Sequence, residues 1–378
     1  MSTGTEHDES GRESTGAVAA RTASPGLDAP ATSAPLPKKE GSLPNWAPWA
    51  VLGGSAVVMA VFVALLGGFS IGLWVVLTAL AFLVVTYLGS RAIEGPRKAL
   101  DRLVTAVVTG AFLVAMIPLV SVLWTVISEG WARFDVTFFT NSMRGVVGVG
   151  GGASHAIQGT LIITALAALM SIPVGVLTAV YLVEYGNQNK LARAITFFVD
   201  VMTGIPSIVA GLFAYALFAL FVGPGVRLGF AGAVALTVLM IPIVVRSTEE
   251  MLKIVPNDLR EASAALGVPK WRTILKVVIP TTAGGIATGI TLAIARVIGE
   301  TAPLLVTIGF TQGVNGNPFS GPMAALPVFS YFSYATPGIP LSAFIERCWT
   351  AALVLMVIVM ILNIVARIIS HIFAPKTR

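Results

Sequence analysis

The sequence predicts an all-α, polytopic membrane protein, and three observations carry that expectation. Hydrophobic residues make up 56% of the 378 and charged residues only 11%, where an ordinary soluble domain is about a quarter charged; mean hydropathy is +0.86. From Trp46 onward, apolar runs of about 18 to 28 residues recur, each long enough to cross a hydrocarbon core of about 30 Å at about 1.5 Å per residue. No strict apolar/polar alternation occurs, which disfavours a β-barrel. The net charge of +6 bears on orientation in a bilayer rather than on nucleic acid, for which no partner role is expected.

Residues 1 to about 45 are rich in Ser, Thr, Gly, Ala, Pro and charge, with almost no large apolar side chains before Trp46. Such a segment buries too little to offset its ordering entropy, so a disordered cytoplasmic tail is expected. Eight apolar segments follow, near 47–66, 71–89, 103–127, 157–183, 197–222, 229–246, 281–309 and 349–373. Only Gly67, Gly68, Phe69 and Ser70 separate the first two, so residues 46–90 should form a helical hairpin, with residues 103–373 as a six-helix core.

Lys and Arg set the orientation. Of the 24, only Arg133, Arg144, Arg227 and Arg347 fall on the side opposite the segment 256–280, apart from Arg296 within an apolar run. An even helix count and this asymmetry put both termini in the cytoplasm. The loops 128–156 and 310–348 then face outward.

Residues 256–280, PNDLREASAALGVPKWRTILKVVIP, form the longest polar interruption in the second half. They read as a short helix-turn-helix elbow on the cytoplasmic side. Asp258 with Glu261 three residues on has the spacing of a capping box, so a helix should begin there. Gly267 followed by Pro269 is a left-handed stop and restart.

One ionisable pair lies inside an apolar run: Arg296 and Glu300, in ITLAIARVIGETAPLL. Charge at mid-bilayer is costly and marks a protein interior or wet cavity; spacing puts the two on one helix face, either as a self-neutralising pair or as an anion site. Gly299 and Pro303 loosen the helix beside Thr301, and Thr203-Gly204-Ile205-Pro206-Ser207 makes a second break carrying two hydroxyls. Broken helices can turn free amides toward an anion where a cavity shields them; Gly and Pro easing helix packing is the alternative for the second break. A carboxylate beside the guanidinium repels an anion unless that anion has a proton to donate, which suits phosphate and disfavours sulfate.

Lone Cys348 cannot form an internal disulfide, and His7, His155 and His371 are too scattered for a metal site. No G-x-x-x-x-G-K-[ST] loop occurs, so ATP hydrolysis is not expected on this chain. The glycines 148–152 lack the leading strand of a dinucleotide site.

Glu261-Ala262-Ser263, Gly267, Val277, Ile279 and Pro280 resemble the EAA-x3-G-x9-I-x-LP loop of importer permeases in the ATP-binding cassette family, with Ser263 and Val277 as mild departures. More broadly, residues from about 150 to 367 resemble the phosphate-importer permease subunits of the PstA type. The residues carrying this are Gly151-Gly152, Gly159-Thr160, Glu184-Tyr185-Gly186, Pro206-Ser207-Ile208-Val209, Gly211-Leu212-Phe213, Arg246, Ala295-Arg296, Gly299-Glu300-Thr301-Ala302-Pro303-Leu304-Leu305 and Pro322-Met323-Ala324. The resemblance implies a sister permease of the PstC type, an ATPase dimer of the PstB type carrying ATP and Mg, a phosphate-binding protein of the PstS type outside, and no cofactor on this chain. It also implies ATPase coupling through Glu261, Ala262, Ala265, Leu266 and Gly267; independently of it, the intramembrane charge and the two breaks point to a substrate path past Arg296, Glu300, Thr301, Thr203 and Ser207. Alternatives are the same architecture for sulfate or molybdate, and an ion-gradient carrier, which would need no such elbow. The tail and first hairpin exceed the family's six-helix core.

Overall fold

The structure, a computed structural model, describes residues 43–44, 46–66, 68, 70–186 and 189–373, the side chains of 369–373 excepted. The expected tail therefore lies outside the described residues, apart from Leu43 and Pro44. Among the described residues all regular structure is helical, and the chain divides into two compact units, residues 1–114 and 115–378. Among the described residues seven helical runs are long and apolar enough to cross a membrane, with an eighth if one sharply bent pair counts as a single span. They fall on the eight segments expected from hydropathy.

In the first unit, α1 (Ala47–Leu65) and α2 (Ile71–Ile93) form a hairpin, closed by Trp74 Nε1 donating to the Ala56 carbonyl at 2.8 Å. At the end of α2 the buried Glu94 carboxylate accepts from Arg102 Nη2 at 2.8 Å, Ser90 Oγ at 2.8 Å and the Leu43 amide at 2.7 Å. The Arg102 guanidinium, ahead of these other donors, holds the Glu94 carboxyl well below the usual range, to about 2. Helix α3 (Pro96–Gly130) spans the division between the units.

The second unit holds α4 (Val136–Thr140), α5 (Ser154–Val180), α6 (Lys190–Thr203), α7 (Ser207–Phe221), α8 (Gly229–Ile254), α9 (Asn257–Ala265), α10 (Lys270–Thr273), α11 (Ile279–Val297), α12 (Ala302–Thr307), α13 (Leu326–Ala335) and α14 (Leu341–Phe373). Its centre is the contact of α5 with α8, where small residues permit close approach, as lipid-embedded helices require in the absence of a hydrophobic drive. Ala156, Gly159, Thr160, Ala167, Ser171 and Gly175 line the buried face of α5, and Gly232, Ala233, Ala235 and Leu236 that of α8. Helix α11 joins through Ile286, Gly289, Ala293 and Val297. Ile163, Met240, Val244, Leu304 and Ile308 fill the shared interior.

Three expectations change. The segment 197–222 is not one straight helix: α6 and α7 meet at 109°, because Pro206 has no amide to continue the ladder and Gly204 leaves the turn unsupported. The segment 281–309 ends its helix at Val297, and the run that contains it starts at Lys270. The outer loop 310–348 is partly helical, since α13 lies within it and α14 begins at Leu341.

Residues 341–348 include Arg347, which hydropathy placed in a loop and which is fully buried. Its guanidinium donates to the carbonyls of Gly148 at 2.9 Å and Gly150 at 3.1 Å, and lies 4.3 Å from the Phe344 ring centre. Arg133 Nη2 donates to the Gly151 carbonyl at 2.9 Å. The glycine run is thus pinned by two arginines. Replacing Arg347 with Leu should leave two carbonyls unpaired at about 1–3 kcal/mol each, visible as a lower thermal midpoint of the detergent-purified protein. An unchanged midpoint would refute the clamp.

Candidate functional site

Two features separated along the chain carry the candidate chemistry: a protruding elbow and a pair of adjoining helix breaks. The elbow is α9, a turn, and α10 leading through a π-helical turn, Ile274–Val278, into α11. Contrary to the expected capping box, α9 begins at Asn257 with Pro256 at the cap and no side-chain cap bond. Pro256, at φ −60 and ψ 144, fixes the approach to the helix, and Asp258 is left within the first turn, where it complements the positive end of the helix dipole. The stop is as expected. Gly267 takes φ +71, the Gly267 amide donates to the Ala264 carbonyl at 2.9 Å, and the Val268 amide to the Ser263 carbonyl at 3.2 Å, a Schellman closure that needs a left-handed residue.

The five elbow residues expected to contact a partner, Glu261, Ala262, Ala265, Leu266 and Gly267, are all exposed, with Leu266 at 82%. Ser263, where the family loop has its third small residue, is buried and its hydroxyl bonds Thr273 Oγ1 at 2.7 Å. That bond ties α9 to α10 across the turn. Pro280 explains the π-turn that precedes α11: lacking an amide, it interrupts the ladder, and the wider turn absorbs the defect.

At the second feature, the break between α6 and α7 lies beside that between α11 and α12. A Cβ on Gly211 would come within 2.6 Å of Pro303 Cα, so α7 touches the start of α12 about one turn in from its own N-terminus. Pro206 caps α7 without a side-chain bond, leaving the amides at its start without intrahelical partners. Of the expected path residues, Arg296 and Thr203 are exposed, and Glu300, Thr301 and Ser207 are partly buried.

Arg296 and Glu300 do not share one helix face as expected. Helix α11 ends at Val297, so Glu300 follows the helix rather than continuing it. Among the described residues neither side chain has an ion-pair partner or a side-chain hydrogen bond. Thr203 donates back to the Asp200 carbonyl at 2.6 Å, so its hydroxyl proton is already engaged.

Sequence reasoning missed the polar network beside the break. Arg246 on α8 pairs with Asp200 on α6 and donates to Glu249 at 2.9 Å, and Lys253 donates to Glu249 at 2.7 Å. This network holds α6 against α8. The available signal is Arg246 at the end of the apolar run 229–246, which the sequence reading takes for orientation and for the family resemblance but not for an ion pair. Gly211→Val should force α7 off α12, with loss of folded protein or of transport in an uptake assay. Full activity with Val at this position would mean that the breaks need not touch.

Apolar helices of spanning length packed through small residues, with a protruding elbow and two broken helices, are the architecture of a multi-pass membrane protein. The family described as binding-protein-dependent transport system inner membrane component matches residues 171–378, and the chain belongs to it. Similar curated proteins include phosphate transport system permease protein PstA 1 of Mycobacterium tuberculosis (strain ATCC 25618 / H37Rv), 47% identical over 71% of this chain and 86% of that protein. Those of Mycobacterium leprae (strain TN) and Yersinia pestis, both named phosphate transport system permease protein PstA, are 44% and 36% identical, covering 72% and 74% of this chain and 90% and 92% of theirs. Among solved structures, a bacterial alginate ABC transporter in complex with an alginate-bound periplasmic protein aligns at TM-score 0.52 and 13% identity, covering 70% of this chain and 93% of that chain. That likeness concerns the fold alone.

Proposed function

We propose that this chain is the membrane permease subunit of an ATP-driven importer that carries inorganic phosphate into the cytoplasm by alternating access. The observation that carries the reading is the 47% identity, across 86% of its length, to a phosphate transport system permease protein. Hydrolysis of ATP belongs to a separate ATPase dimer of the PstB type, with Mg bound there. The sister permease is of the PstC type, and the donor outside is a phosphate-binding protein of the PstS type.

In this reading the exposed face of Glu261, Ala262, Ala265, Leu266 and Gly267 docks on the ATPase, which puts the elbow and both termini in the cytoplasm. The support is the exposed, sharply closed turn around Gly267. Phosphate passes Arg296, Glu300, Thr301, Thr203 and Ser207. The guanidinium attracts the anion, and the Glu300 carboxylate accepts from the P-OH that phosphate keeps near neutral pH and sulfate lacks. Because neither group is engaged by a neighbour among the described residues, both are available to the anion.

Arg296→Ala should abolish phosphate uptake in cells lacking other phosphate carriers while leaving assembly of the importer intact; normal uptake removes the pair from the mechanism. Gly267→Asp places a side chain on a residue at φ +71, on the docking face, and should uncouple the ATPase. Unchanged co-purification of the ATPase together with unchanged uptake would rule the docking role out.

A further inference from the structure

The elbow is attached to the rest of the second unit by polar bonds more than by packing. Helix α9 buries only Ser263, and a cavity of about 320 Å³ lies beneath it, lined among others by Glu184, Arg260, Ala264, Lys270 and Ile274. Arg260 crosses this gap. Its Nη2 lies 3.0 Å and its Nε 3.1 Å from Glu184 Oε1, while Nη1 donates to the Val255 carbonyl at 2.6 Å and Nη2 to the Leu252 carbonyl at 2.9 Å.

Glu184 itself is 5% exposed and sits in a π-helical turn, Tyr181–Tyr185, that closes α5. Lys270, at the start of the elbow's second leg, donates to the Glu184 carbonyl and lies 5.0 Å from the Tyr185 ring centre. One guanidinium therefore links the elbow to the ends of both α5 and α8.

We propose that Glu184 is a positioning residue that locks the elbow's first leg to α5, so that displacement of the elbow moves α5 and α8 together with α11. The inference rests on the reading of the elbow as the ATPase docking face. The second leg needs no lock, because residues 270–297 form one helical run that ends beside Arg296. The first leg stands over a hollow and, without the Glu184 bond, would tilt into it while the second leg moved. The π-turn at 181–185 is the place in α5 where a helix carries a spare residue and yields most readily.

Glu184→Leu tests this, because it removes the acceptor for Arg260 on α5 at similar side-chain size and leaves Arg260 on the carbonyls of Leu252 and Val255. The measurement is phosphate imported per ATP hydrolysed by the complete importer in sealed vesicles, alongside the ATPase retained on purification. The expected result is a fall of about ten-fold in that ratio with ATPase retention kept, the size of an ordinary coupling effect. A purely structural role would lower uptake, hydrolysis and retention together and leave the ratio at the parental value, which overturns the proposal.

Should Glu184→Leu fail to fold, the double variant Glu184→Met with Arg260→Met replaces the buried pair by apolar groups, an exchange that usually preserves stability. A reduced ratio in that variant supports the lock, and a parental ratio overturns it. If the parent importer moves no phosphate on ATP, the docking reading itself fails and the lock falls with it. A parent that imports, with Glu184→Leu at the parental ratio, faults the lock alone.

Discussion

The close approach of α5 to α8 is the constraint on which the second unit depends. Gly175 meets Val244 with no room for a Cβ, which would lie 2.6 Å from Val244 Cγ1. In lipid, helices gain little by burying apolar surface against one another, so association rests on dispersion contacts that need small residues to bring backbones together. The stripe from Ala156 to Ala179 on α5 supplies them. Once this pair is set, α11 packs into the same interior, and the position of every later break follows from where α8 and α11 must end.

Broken helices are tolerated at membrane depth only where other protein shields their free backbone groups. Here Gly211 of α7 presents bare backbone to Pro303 of α12, while Thr203, Gly204, Pro206 and Gly299 at the breaks themselves are exposed in this chain. Helix α7, with 15 residues, reaches only about 22 Å at about 1.5 Å per residue, short of a hydrocarbon core of about 30 Å. Its 109° bend from α6 is consistent with a segment that enters partway and depends on neighbours for its polar ends. The Asp200–Arg246–Glu249 network fixes the α6 side of that bend.

Much of this was legible in the chain because membrane thickness imposes its length on the sequence. All eight apolar segments have helical counterparts, and the left-handed stop at Gly267 followed from a glycine two residues before a proline. What pattern reading missed depends on tertiary contacts. The capping box at Asp258 and Glu261 was displaced by Pro256, whose rigid φ sets the cap. Arg296 and Glu300 have helical spacing, yet Gly299 and Pro303 end the helix between them and the shared face is lost. Arg347 falls in the expected loop 310–348 because it lies before the last apolar run. In fact it is buried against Phe344 because the carbonyls of Gly148 and Gly150, freed by their left-handed backbone, supply the acceptors an arginine needs. No local signal in the sequence around Arg347 points to glycines almost two hundred residues earlier.

The elbow illustrates how a departure from a family pattern is absorbed. An alanine at position 263 would fit the space, but Ser263 is buried there, and a buried hydroxyl without a partner would be destabilising. Thr273, ten residues on, supplies the partner at 2.7 Å, so the polar substitution becomes a cross-brace between the two legs. Below that brace the legs part: one continues as the helix that ends beside Arg296, and the other turns back over a cavity toward α8. Two long cationic side chains, Arg260 and Lys270, bridge from the two legs to the same π-turn. A compact apolar contact would also have joined the elbow to α5, but it resists sliding poorly. Directed bonds from a planar guanidinium fix both distance and orientation, which a part that transmits movement requires.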